Sequence, residues 1–154
     1  MSKKISKIIY LIVCFVFFLI SDLYLSDLLV KNITRGYAFS SNIISLNYVK
    51  NTGAAFSILH DSREFLIILS VVALAVIFWY ILKHIKSISM KAIFFASILA
   101  AGIAGNLHER IIFGYVRDFF ELKFVDFPVF NISDIFINIG VLALIILILL
   151  KKTR

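Results

Sequence analysis

Apolar residues run along this chain in long unbroken stretches, without the alternation of a half-buried strand or the once-per-turn stripe of a soluble helix. Four stretches carry no charged residue: 8–21, 65–82, 92–107 and 135–150. At about 1.5 Å per residue the longer ones span roughly 24–27 Å, a little short of a hydrocarbon core of about 30 Å. Each becomes long enough if a few polar residues are carried into one interface. The first continues through Asp22 to Leu25, and the fourth begins near Asn131. The pattern predicts an all-α membrane protein with four transmembrane helices. A β-barrel would need alternating runs, which are missing.

Between the spans the pattern changes twice. In 22–64, Ile44, Leu46 and Tyr48 alternate roughly with polar residues, and Asn51-Thr52-Gly53 supplies turn chemistry before 54–59. This predicts a small β-hairpin or short sheet resting on the membrane surface. The other outer stretch, 108–134, is expected to form a short outer helix or loop.

Charge orients the spans. Lys3, Lys4 and Lys7 precede the first; Lys83, Lys86 and Lys91 separate the second and third; Lys151, Lys152 and Arg154 follow the fourth. These nine of the chain's 16 basic residues share one side with no acid, while all nine acidic residues fall on the other. The basic side is cytoplasmic by the positive-inside rule, so the layout is N-in/C-in and the carboxylates face outward. The net charge of +7 therefore reports topology and not a nucleic-acid partner. The basic start and apolar core also suit a signal peptide, but no A-x-A-like site follows, and the first span is expected to stay.

Composition agrees: 62% of residues are hydrophobic, mean hydropathy is +1.02, and one Pro and six Gly leave nothing like a linker. Residues 1–154 are expected to form a single integral-membrane domain. The one cysteine, Cys14, excludes an intramolecular disulfide, and the preceding Leu-Ile-Val lacks the small residues of a lipobox.

The chemistry on offer is narrow. His60, His84 and His108 are scattered, with no HExxH and no cysteine cluster, so no metal site is expected. Ser57 with Lys50 is the one outward serine–lysine candidate. Asn106 and Arg110, four apart, share a helix face, where the arginine can hold a carboxylate or a neighbouring backbone carbonyl. The preceding Ala100, Ala101, Gly102, Ala104 and Gly105 allow close helix approach. Asn131 is placed as an N-cap with Asp134 three residues on, where the positive end of the helix dipole favours an ionised carboxylate.

Acids are what remain. Two carboxylates held close share a proton, so that one deprotonates a water while the other polarises a peptide carbonyl. Asp118 and Asp134 fit this cofactor-free chemistry, but Asp22, Asp27, Asp61, Asp126, Glu109 and Glu121 compete with them. A non-enzymatic transporter or assembly subunit is the rival from another class, though its acids would lie deeper in the spans. An intramembrane protease of the Gly-x-Gly-Asp type would need a motif that is absent here.

Four blocks, in order, resemble the bacterial lipoprotein signal peptidases (signal peptidase II). They are N-Y-V-K-N-T-G-A-A-F-S at 47–57, G-N-L-H-E-R at 105–110, V-R-D-F at 116–119 and F-N-I-S-D at 130–134. The resemblance implies an aspartic endopeptidase that removes the signal peptide of diacylglyceryl-modified prolipoproteins, cutting just before the lipidated cysteine at the outer face of the bacterial inner membrane. It implies Asp118 and Asp134 as the catalytic dyad; the helix N-terminus at Asp134 then makes it the expected ionised base, with Asp118 as the acid. Asn51, Gly53, Asn106, Arg110, Asn131 and Asp22 would bind or position the substrate, with the Asn51 hairpin clamping it from above. No cofactor is implied. Partners would be the lipid-modified prolipoproteins, membrane lipid and a cyclic-peptide inhibitor such as globomycin. The chain departs from the family pattern after Asp22, where Leu-Tyr-Leu-Ser stands in place of Gln-x-Thr-Lys. Glu109 replaces an aspartate and Ser133 an alanine.

Overall fold

A computed structural model describes residues 3–53, 62–150 and 153. The elements are α1 (Lys3–Thr34), β1 (Ile44–Asn51), α2 (Arg63–Lys83), α3 (Met90–Phe113), β2 (Val116–Leu122) and α4 (Ile132–Leu149). All four helices are long and apolar enough to cross a membrane, as their uninterrupted hydrophobic runs require. Helix α3 is the central one and packs against α1, α2 and α4. It carries the small residues Ala96, Ala100, Ala101, Gly102 and Gly105 on buried faces. The other three turn side chains such as Phe17, Val72 and Leu142 outward, where lipid takes the place of a protein core.

Close approach is tightest between α3 and α4. A Cβ on Gly102 would collide with the Ser133 carbonyl and lie 3.0 Å from the Ile137 amide nitrogen, and one on Gly140 would lie 2.9 Å from the Leu99 backbone. Without a hydrophobic drive between helices in lipid, such contact supplies the packing energy.

The two chain ends meet the α2–α3 loop. Lys7 Nζ donates to the carbonyls of Lys86 and Ile88, and the Ser89 amide donates to the Thr153 carbonyl. The basic loops thus gather at one end of the bundle, as the charge pattern predicts.

Two boundaries differ from the sequence reading. Helix α1 does not stop near Leu25 but continues to Thr34, about 48 Å in all, so its last turns project beyond the hydrocarbon. Its buried residues Asp22, Ser26 and Val30 continue one stripe at four-residue spacing. That last part supports the sheet, with Val30, Phe119 and Ile132 packed together. In 108–134, α3 runs on to Phe113 and ends at Gly114, whose φ of 85° suits only a residue without a side chain. A strand follows where a short helix or loop is expected.

The predicted sheet forms, but its second strand comes from far along the chain: β1 pairs antiparallel with β2. Residues 54–59, expected to follow the turn, lie outside the described residues. The register shifts once, between Leu46 and Val49, placing Asn51 opposite Val116. Without this bulge Asn51 would stand opposite Tyr115, on the face of Arg117. With it, Asn51 shares the face of Asp118.

Candidate active site

Two local structures bring the outer polar residues together. Past β2 the chain folds back, and Phe130 exchanges backbone hydrogen bonds with Phe120. This return delivers Asn131 beside Asp118. Asn131 then starts α4 in a reciprocal capping box: its side-chain oxygen accepts from the Asp134 amide at 2.9 Å, and Asp134 Oδ2 accepts from the Asn131 amide at 3.2 Å.

The result is a continuous chain of side-chain amides and carboxylates. Asn51 Nδ2 donates to Asp118 Oδ2 at 2.9 Å, and Asn131 Nδ2 donates to Asp118 Oδ1 at 2.8 Å. Asn131 Nδ2 also donates to Asn106 Oδ1 at 3.0 Å, and Asn106 Nδ2 donates to Asp134 Oδ1 at 2.8 Å. Arg110 donates to the Asn106 carbonyl and, from its other terminal nitrogen, to the Gly53 carbonyl at 2.9 Å. That clamp ties the end of β1 to α3, and the Gly53 amide donates in turn to Asn51 Oδ1.

Asp118, Asp134, Asn51, Asn106 and Arg110 border one cavity of about 450 Å³, with Phe127, Phe130, Ile135, Ile139 and Leu142 among its apolar walls. Both carboxylates therefore face one space large enough for a peptide segment. Asp118 is 2% exposed. Burial pushes its carboxyl up to about 7, and the neighbouring Asp134 charge acts in the same direction. The Asn51 and Asn131 amides and the Arg110 guanidinium oppose that shift.

Geometry sets four of the six competing acids apart from the cavity. Glu109 pairs with Arg117 through both carboxylate oxygens, and Arg117 reaches Asp27 at 2.7 Å. The longer acid at 109 thus finds its base. Glu121 pairs with Lys123 and accepts from Ser45. Asp22 is buried in α1 and accepts from Ser26 and Ser133 beside Gly105; it does not border the cavity. Asp61, Ser57 and His60 lie outside the described residues. Among those described, no cluster of metal-ligating side chains occurs.

Sequence reasoning missed two participants. Arg63 donates to the Arg110 and Ile111 carbonyls and so closes the open end of α3. Asn138 lines the cavity from α4. Its signal was available, as the one amide in the apolar run 135–150.

The description of signal peptidase (SPase) II matches residues 12–150. The chain belongs to the signal peptidase II family. Family relatives include the lipoprotein signal peptidase of Streptococcus thermophilus, 35% identical over 82% of this chain and 84% of that protein. The Lactococcus lactis subsp. lactis lipoprotein signal peptidase is 33% identical over 97% of both chains. Among solved structures, a bacterial membrane enzyme determined by the in meso method at 2.3 Å superposes with a TM-score of 0.77. It is 30% identical and the match covers 92% of this chain and 88% of that one. The chain is thus a multi-pass membrane peptidase of the aspartic type.

Proposed function

We propose that this peptidase removes the signal peptide from diacylglyceryl-modified prolipoproteins, cutting just before the lipidated cysteine, with Asp118 and Asp134 as its catalytic pair. The observation that carries the reading is the single cavity bordered by both carboxylates, linked through Asn131 and Asn106. Asp134 is the base. It sits at the N-terminus of α4, where two donors and the helix dipole favour its anion. Asp118, with its raised carboxyl, carries the proton.

In the reaction Asp134 takes a proton from a water as its oxygen bonds to the scissile carbonyl carbon, and Asp118 gives its proton to the carbonyl oxygen. Collapse of the tetrahedral species returns that proton to Asp118, breaks the C–N bond and passes the proton on Asp134 to the leaving amine. Asn51, Asn106, Arg110 and Asn131 position the pair and the substrate backbone. Gly53 holds Arg110 through its carbonyl, and Asp22 supports the site from behind through Ser133.

The basic end of the bundle faces the cytoplasm and the cavity opens at the outer face of the bacterial inner membrane. Membrane lipid surrounds the spans, residues 1–154 act as one domain, and a cyclic peptide such as globomycin would occupy the same cavity. The test uses purified protein in detergent with a prolipoprotein substrate, followed by the gel shift on signal-peptide loss. Cleavage of the lipidated form and not the unlipidated one is expected; equal cleavage of both overturns the substrate assignment.

The pH dependence has a definite sign. Asp118 titrates at about 7 when folded, against 3.8 for an unperturbed aspartate. Between those values the folded protein holds more protons, so its stability falls as pH rises from about 4 to about 7. Turnover falls in the same direction once Asp118 loses its proton above about 7. Thermal midpoints and initial rates across pH 4–9 check both; a rate that climbs steadily through pH 8 contradicts Asp118 as the acid.

Asn131→Ala removes a cap, the Asn131 amide bond to Asp118 and the link to Asn106 together. A stability loss of about 1–2 kcal/mol is expected. Turnover should fall by about ten- to a hundred-fold as the pair loses its alignment. Denaturant midpoints in mixed micelles, beside initial rates, measure the two effects.

A further inference from the structure

Asn138 stands in α4 four residues after Asp134, hence on the same helix face and about 6 Å deeper in the membrane. It borders the cavity that holds Asp134, Asn106 and Arg110, among the apolar side chains of Ile135, Ile139 and Leu142. Its side chain is exposed and has no hydrogen-bond partner among the described residues. An amide at hydrocarbon depth with nothing to bond costs free energy, and polar groups there characteristically face a cavity that uses them. Capping does not explain it, because Asn138 lies in the middle of its helix.

We propose that Asn138 is a substrate-positioning residue whose side-chain amide donates a hydrogen bond to a carbonyl of the bound substrate, on the deep side of the scissile bond. The inference rests on the peptidase reading of the cavity. A signal peptide threads the bilayer as a helix, and the last carbonyls of any helix lack internal partners. A depth of about 6 Å corresponds to about two extended residues or four helical ones before the cut. The unpaired carbonyls of the substrate's last turn fall in that interval. The ester carbonyls of the diacylglyceryl group are the other source of the same acceptor.

Steady-state kinetics on full-length protein in detergent, with the diacylglyceryl-modified prolipoprotein, test this. Asn138→Leu keeps the shape and removes the donor. It should raise KM about ten-fold, equivalent to ~1.4 kcal/mol, with kcat within about two-fold of wild type. Its thermal midpoint should be unchanged or higher, since an apolar side chain replaces an unpartnered polar one at hydrocarbon depth. Asn138→Gln, which keeps an amide, should recover part of the lost KM. A wild-type KM in the Leu variant overturns the proposal, as does a Gln variant no better than Leu. Repeating the comparison with a dialkylglyceryl ether substrate locates the acceptor. A penalty that persists assigns a peptide carbonyl, and one that vanishes assigns the ester; both support the hydrogen bond. Wild-type protein that cuts nothing defeats the peptidase reading itself, and this is seen before any Asn138 variant is assayed.

Discussion

Asp118→Asn and Asp134→Asn should each lower the cleavage rate by about 10²–10⁴-fold while leaving a folded protein. Asparagine keeps the size of each carboxyl and removes only its ability to hold or accept the transferred proton. At 134 the one oxygen left can still accept from the Asn131 amide, so the start of α4 should persist, while the new NH2 faces the Asn106 donor and that link is lost. At 118 it removes a buried carboxyl that burial and a like charge disfavour in its ionised form, so stability above about pH 7 should rise. The two losses should not add in the double variant, because the residues act as one proton-sharing unit. The gel-shift assay, run beside thermal unfolding, reads all three results. Variants that cut within about three-fold of wild type would make both aspartates structural caps.

Gly102→Ala should cost about 1–3 kcal/mol and reduce activity by up to about a hundred-fold without touching a polar group of the site. The new methyl would meet the Ser133 carbonyl and the Ile137 amide nitrogen, which are backbone atoms and give way only if α4 moves. Helix α4 carries Asn131 and Asp134, whereas α3 carries Asn106 and Arg110. Separating the helices therefore stretches the Asn106–Asp134 and Asn131–Asn106 hydrogen bonds together. Leu149→Ala, at a position 76% exposed near the end of α4, is the control and should change neither quantity. Thermal midpoint and initial rate decide it: wild-type values for Gly102→Ala would mean that the α3–α4 contact is loose.

The existence of the spans, their number and their relative orientation were legible in the chain itself. Hydrocarbon satisfies no backbone hydrogen bond, so a crossing segment must be a helix with apolar side chains all round, and such runs are visible without any partner. The distribution of lysines was equally direct, because it answers to the membrane and not to packing. The Asn131–Asp134 capping box was readable for a third reason, being a contact between residues three apart on one helix end.

What the chain alone left open depended on contacts distant in sequence. Without the family motifs Asp118 was one acid among eight candidates, and what sets it apart physically is the fold-back at Phe130 that brings Asn131 against it. Asn51 looked like a turn residue; its placement beside Asp118 depends on β1 pairing with β2 and on one bulge that moves it to the other face. Strand partners and bulges are decided by side chains on both strands, so neither strand read alone contains them. Asp22 shows the reverse case: after α1 is extended and packed, its carboxylate lies against Gly105 and Ser133 and away from the cavity. Sequence by itself picked out the segments apolar enough to cross a membrane and grouped the acids in the loops opposite the basic ones. Only tertiary structure decided which two of those acids share a cavity, because a shared proton depends on distance in space.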